Sequence, residues 1–296
     1  MHNAFLKKGI PWHLNEKESP FFIIGSGRCG TTLLRRVLTS VEGIHIPPEN
    51  WALHDLCWRF EKYRMLEDWD TSVDIAAIAH FESTQGWFKE IPEQFIRIAK
   101  KCPKKDQSIY WLLDSLYRYH SKLKDIQCTR WGDKTPLNVN LLPYLIDIFP
   151  DAKFIHLLRD GVDVVHSWKK QGHYGDDVIK PAQRWYKSVT TANNFIEKYP
   201  DKFLQIRYEN LVQNPQIVTE EVCNYLSISL PDNILKVEQS SVTDDLKKHE
   251  HYKNALKPIT NDFVGKGRRL LSKEEKVKIK PIINDLLKEY EYLPLQ

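Results

Sequence analysis

The chain has 296 residues, of which 42% are hydrophobic and 28% charged, and its 43 basic and 39 acidic residues leave a net charge of +4. That is enough apolar content for one large α/β domain, or one with a helical insert. The small, evenly spread positive excess suits an anionic small ligand and excludes the dense basic face of a nucleic-acid binder; no run of about 18 apolar residues is present to span a membrane.

Residues 1–20 are polar and lack the apolar stretch of a secretory leader. The five cysteines (Cys29, Cys57, Cys102, Cys128, Cys223) are odd in number and show no CxxC spacing. Free thiols in a reducing compartment, the cytoplasm, are expected, with no zinc site.

Phe21 to Gly25 reads as a buried strand, followed by a Gly-rich turn and a helix over Thr31–Ser40 with Leu33, Leu34, Val37 and Leu38 on its apolar face. Residues 44–50 read as a Pro-containing loop. Residues 51–124 are helical and rich in aromatics, an inserted subdomain whose rings form its own core. Trp51, Trp58 and Trp87 are alternative candidates to line an apolar or sugar-stacking acceptor pocket. A short strand is expected over 126–130, then a loop through Trp131-Gly132-Asp133-Lys134-Thr135-Pro136, then a helix over Leu137–Phe149. Lys153–Leu158 is a β-branched and apolar strand, followed by a helix through Trp168. A helix near 181–198 precedes a strand over Phe203–Arg207, and the rest is mostly helical with a basic loop over 247–269. Strands alternating with helices predict an α/β fold: a P-loop-like central parallel sheet flanked by helices.

Four places carry chemistry. In Gly25-Ser26-Gly27-Arg28-Cys29-Gly30-Thr31-Thr32, a Gly-rich turn and a helix N-terminus aim backbone N–H groups and partial positive charge at one point. That is a phosphate cradle. Gly27 and Gly30 allow close approach, Arg28 adds a charged fork, and Thr31 and Thr32 add hydroxyl donors. The spacing Gly25-x4-Gly30 matches a P-loop, but Thr31 stands where the P-loop has lysine. The second place is Arg159, just past a strand end where open parallel sheets hold ligands, with Ser167 about two helical turns on; together they suit a second phosphate. Asp160 between them is expected to cap the following helix. The third is Lys134, between a strand and a helix. The fourth is Glu49, a loop carboxylate able to act as a general base or simply to sit in solvent.

Together these motifs resemble the PAPS-dependent sulfotransferases (PAPS is 3′-phosphoadenosine 5′-phosphosulfate). That family's 5′-phosphosulfate motif usually runs Pro-Arg-Ser-Gly-Thr-Thr. Arg28, Gly30, Thr31 and Thr32 match it, while Gly27 replaces the proline and Cys29 the serine. Arg159 and Ser167 match the 3′-phosphate motif in residue type and spacing. The resemblance is closer to the bacterial and tyrosylprotein branch than to the cytosolic branch, which uses a histidine base. It implies Glu49 as base and Lys134 as the branch's lysine. Arg207-Tyr208-Glu209-Asn210-Leu211 resembles a segment whose tyrosine contacts the nucleotide, implying that role for Tyr208. Leu256-Lys257-Pro258 with Gly265-Lys266-Gly267-Arg268-Arg269 resembles the loop that closes over PAPS, so Lys257, Gly267 and Arg268 are implied as nucleotide-binding. The tyrosylprotein enzymes are membrane-anchored and disulfide-bonded, so a soluble bacterial-type enzyme is expected.

The resemblance implies one sulfotransferase domain over 1–296, with 51–124 on the acceptor side and 247–271 covering the nucleotide. It implies sulfuryl transfer from PAPS to a hydroxyl of a glycan, lipid, small molecule or peptide, leaving adenosine 3′,5′-bisphosphate and needing no metal. Glu49, Lys134 and Arg28 are then catalytic. Two other readings stay open: a metal-dependent P-loop kinase acting on a small hydroxyl compound, and a catalytically inert nucleotide-binding scaffold.

Overall fold

The computed structural model describes residues 19–62, 68–82, 93–230 and 258–296. Tyr63, Trp87, Phe88, Lys257 and the first part of the predicted covering loop lie outside them. The five strands are β1 (Phe21–Gly25), β2 (Ile44–His45), β3 (Arg130–Asp133), β4 (Lys153–Leu158) and β5 (Phe203–Arg207), in the order β2-β3-β1-β4-β5. The sheet is parallel. Phe21 pairs with Gly132, Ile44 with Arg130, and Phe154 through Leu158 with Phe203 through Arg207. β1 is buried along its whole length and β4 over Phe154–Leu158, as strands covered on both faces must be, and both read as apolar runs, broken only by His156 in β4.

The chain divides into two compact units. The first combines residues up to Phe22 with Thr39–Lys153. It holds β2, β3 and the helices α2 (Ala52–Lys62), α3 (Trp69–Glu82), α4 (Glu93–Lys100), α5 (Ile109–Leu123) and α6 (Leu142–Ile148). Two expectations need correction here. Residues 44–50 are not wholly loop, because Ile44 and His45 form β2. The strand expected at 126–130 is instead Arg130–Asp133, so Trp131, Gly132 and Asp133 lie in the sheet and Lys134 is the first residue past it. β3 escapes an apolar-run search because its burial is polar. The Trp131 indole donates to Asp114 at 2.6 Å, and the Trp131 ring stacks on Tyr117 at 4.0 Å. The helix expected over 137–149 splits into a 3₁₀ turn, Pro136–Leu141, and α6. α5 begins where Ser108 Oγ accepts the Trp111 N–H, and its Trp111 and Tyr117 are core residues, whereas Trp58 is half exposed.

The second unit combines Ile23–Leu38 with Phe154–Gln296. It holds α1 (Thr31–Leu38), β4, α7 (Gly161–Lys170), α8 (Ile179–Lys198), β5, α9 (Tyr208–Gln213), α10 (Pro215–Leu226) and, after the undescribed segment, helices Lys266–Leu270 and Lys273–Glu289. Val162, Val165, Trp185, Val189, Ile279 and Ile283 form a common core for α7, α8 and the last helix. That last helix opens with a capping box, Ser272 and Glu275, which satisfies two of its free N–H groups. No helix among the described residues is long and apolar enough to cross a membrane. The five cysteines are separate, buried thiols.

Candidate active site

In the second unit, the turn between β1 and α1 takes left-handed backbone at Gly27 (φ 79°), Arg28 (φ 59°) and Gly30 (φ 95°). Such turns gather N–H groups into an anion-binding hollow. Arg28 is not a glycine, so its conformation costs about 1–3 kcal/mol and persists only where neighbours enforce it. Those neighbours are visible. Arg28 Nε donates to Ser167 Oγ at 3.2 Å. With the Gln171 amide oxygen turned toward the guanidinium, it accepts from both terminal nitrogens at 3.1 and 3.2 Å. The Arg28 carbonyl accepts from Arg159 Nη1 at 2.9 Å. At Gly30 a Cβ would lie 2.5 Å from the Tyr208 ring, so only glycine allows that close packing.

Arg159 follows β4, and its guanidinium lies 4.3 Å over the Tyr208 ring. Its Nη2 donates to the Phe263 carbonyl at 2.7 Å, while its buried Nε has no hydrogen-bond partner among the described residues. An unfilled cationic donor beside an N–H-lined turn fits a phosphorylated ligand. Asp160 caps α7 through the Val162 N–H, as expected, and also binds Arg268 Nε at 2.7 Å. Asp163 accepts the N–H groups of Gly265 and Gly267 at 2.8 and 2.7 Å. Gly267 comes so close to α7 that a Cβ would meet the Val162 carbonyl oxygen at 2.2 Å. Residues 263–268 are thus fastened to the start of α7 by bonds to the Arg159, Asp160 and Asp163 side chains.

The first unit carries the other pair. Glu49 lies between β2 and α2, and Lys134 just past β3, 85 residues away. Lys134 Nζ donates to Glu49 Oε1 at 2.5 Å, with the lysine fully buried and the glutamate 10% exposed. Removing one partner of such a pair strands a buried charge, at about 3–5 kcal/mol. Around it, Asp133 accepts from Tyr117 OH at 2.5 Å and Asn138 Nδ2 at 2.7 Å, and burial pushes its carboxyl up to about 6. These bonds oppose that rise without cancelling it.

Of the residues singled out from sequence, Gly27, Arg28, Gly30, Thr31, Arg159, Ser167 and Tyr208 come together in the second unit, with Gly267 and Arg268 on the fastened segment. Thr31 is buried and Thr32 half-buried at the first turn of α1. Glu49 and Lys134 meet in the first unit. The Cys29 side chain is wholly buried, and burial raises its thiol pKa. Tyr208 is itself buried and supports Gly30 and Arg159. Sequence reasoning missed Arg184, which donates to the Ser26 carbonyl at 3.0 Å and covers the Trp168 ring at 4.5 Å. It lies inside α8, with no local pattern to mark it. Gln171 and Asp163 were missed for the same reason.

Comparison with known proteins adds four findings. The Sulfotransferase family matches residues 20–232. A putative protein-tyrosine sulfotransferase of Caenorhabditis elegans is 24% identical over 163 residues, 53% of this chain and 61% of that protein. An omega-hydroxy-beta-dihydromenaquinone-9 sulfotransferase of Mycobacterium bovis is 22% identical over 242 residues, 67% of this chain and 60% of that protein. The chain thus spans about three fifths of the length of each of these relatives. The sulfotransferase domain of the Synechococcus PCC 7002 olefin synthase superposes with a TM-score of 0.64 at 22% identity, covering 96% of this chain and 98% of that one, which establishes a shared fold.

Proposed function

The chain belongs to the sulfotransferase family, and on that premise we propose that it transfers a sulfuryl group from PAPS to an acceptor hydroxyl, in line and without a metal. PAPS would supply the sulfuryl group and depart as adenosine 3′,5′-bisphosphate. The turn N–H groups over residues 27–32 and the Thr31 and Thr32 hydroxyls hold the 5′-phosphate side. Arg159 and Ser167 hold the 3′-phosphate, with Tyr208, Lys257, Gly267 and Arg268 completing the nucleotide contacts. Glu49 takes the acceptor proton as the acceptor oxygen bonds to sulfur and the bond from sulfur to the 5′-phosphate oxygen breaks. Lys134 and Arg28 offset the charge that develops on the bridging and equatorial oxygens, an effect typically worth about 3–4 kcal/mol per donor.

The observation that carries this reading is the meeting of Arg28, Ser167 and Arg159 at a left-handed turn, with a buried Arg159 donor left open. Acceptor classes span glycans, lipids, small molecules and peptides; the names of the two relatives specify a protein tyrosine and a menaquinone-derived hydroxyl for those proteins. Five buried free thiols support the cytoplasm as its compartment. Titration calorimetry tests the reading: adenosine 3′,5′-bisphosphate binds in EDTA at micromolar concentration, and Arg159→Ala weakens that binding about tenfold to a hundredfold. Binding of ATP with magnesium alone would overturn it in favour of a kinase.

A further inference from the structure

Glu49 sits in a loop, and a loop carboxylate needs outside support to stay in one place. Its neighbour Asn50 supplies the link. The Asn50 N–H donates to Thr135 Oγ1 at 2.9 Å, and Thr135 in turn hydrogen-bonds Asp133. The Asn50 side-chain nitrogen lies 3.1 Å from Tyr117 OH and 3.3 Å from His80 Nε2. Asn50, His80, Tyr117, Asp133 and Thr135 are all at most 2% exposed.

The bond directions follow from one another. His80 Nδ1 faces the Ala76 carbonyl at 2.7 Å and must carry the proton. Burial lowers the His80 pKa to about 4, so the ring is neutral and Nε2 accepts from Asn50. Asn50 spends its other N–H on Tyr117, whose own proton goes to Asp133. Asn50 is next to Glu49 and Asp133 is next to Lys134, so the chain of bonds ends one residue from each member of the pair.

We infer that this buried hydrogen-bond chain, centred on Tyr117, holds Glu49 against Lys134, and that Asn50, Tyr117 and Asp133 are positioning residues for the transfer. The inference rests on the reading of Glu49 as the base. Tyr117→Phe keeps the ring that stacks on Trp131 and removes only the hydroxyl. It should lower kcat about tenfold or more while leaving KM for PAPS and the Kd of adenosine 3′,5′-bisphosphate within about twofold. Asn50→Ala should do the same, and the double variant should fall no further than either single one. A folded Tyr117→Phe enzyme with unchanged kcat, or additive losses in the double variant, would overturn the inference. Glu49→Gln separates the two ideas. If it keeps full kcat, the base reading fails, and acylation of Lys134 followed by mass spectrometry decides the positioning role. Faster Lys134 labelling in folded Tyr117→Phe then supports it, and unchanged labelling overturns it.

Discussion

The phosphate-loop cluster and the Glu49–Lys134 pair solve the same problem, fixing charged groups, by different means. In the cluster, the two arginines sit at strand ends: Arg28 between β1 and α1, Arg159 between β4 and α7. Backbone geometry alone delivers them, and side chains then lock the turn. The pair has no such scaffold on the glutamate side. Glu49 is on a loop, and it is held by Lys134 and by polar side chains buried beneath it. Position in a fold of this kind comes from the sheet where strands point at the site, and from buried polar bonds where they do not.

The sharpest way to break this comparison is at the pair. Glu49→Gln should lower kcat about 10²–10⁴-fold, the usual range for a lost general base, with bisphosphate affinity in calorimetry unchanged. If nucleotide affinity falls instead, the two clusters do not divide the work as described. Lys134→Ala should cost about 3–5 kcal/mol in denaturant unfolding, because Glu49 is left buried without its cation. Glu49→Gln combined with Lys134→Met should recover part of that loss; no recovery would mean the cost lies in packing rather than charge.

At the phosphate loop the expected effect is smaller and falls on binding. Arg159→Ala should weaken bisphosphate binding about tenfold to a hundredfold, as for a lost charged hydrogen bond, with unfolding free energy changed less than in Lys134→Ala.

Acid should separate the regions next. Burial lowers the pKa of His80 in the first unit and His156 in the second to about 4 from 6.5. Between those values the unfolded chain binds more protons, so each histidine contributes stability at neutral pH that is lost as pH falls from 6.5 toward 4, roughly 3 kcal/mol each. Asp133 works the other way: its raised pKa makes the native state the better proton binder between 3.8 and about 6, so its contribution declines as pH rises through that window. The sum is a Tm that falls on acidification from pH 6.5 to 4. A His156→Gln variant should fall less steeply, and an equal slope would remove His156 from the account. The smallest effect belongs to Cys29→Ser. Its side chain points into the interior, so bisphosphate affinity should stay within about threefold; a large gain would show that the hydroxyl reaches the phosphate.

β1, β4 and β5 were legible from residue order because each is a short, mostly apolar run, interrupted only by His156 in β4 and Gln205 in β5, that ends at or just before a glycine or an arginine. The turn after β1 was legible because its glycines and Arg28 are local to one short stretch of chain. β3 was misplaced by about three residues, and β2 was missed. His45 and Asp133 are buried by hydrogen bonds to His120 and Tyr117 of α5, and no periodicity records that.

The sequence by itself therefore determined the α/β class, the Gly-rich turn after β1 and the candidate residues Arg28, Glu49, Lys134, Arg159 and Ser167. Only the tertiary structure decided that Lys134 is fully buried and paired with Glu49, that Cys29 faces inward, that Asp163 fastens Gly265 and Gly267, and that Tyr117 ties the two loops together. The first set follows from short-range patterns of polarity and backbone freedom. The second depends on which buried polar atoms find partners far away in the chain, and the requirement that each be satisfied acts only once the chain has folded.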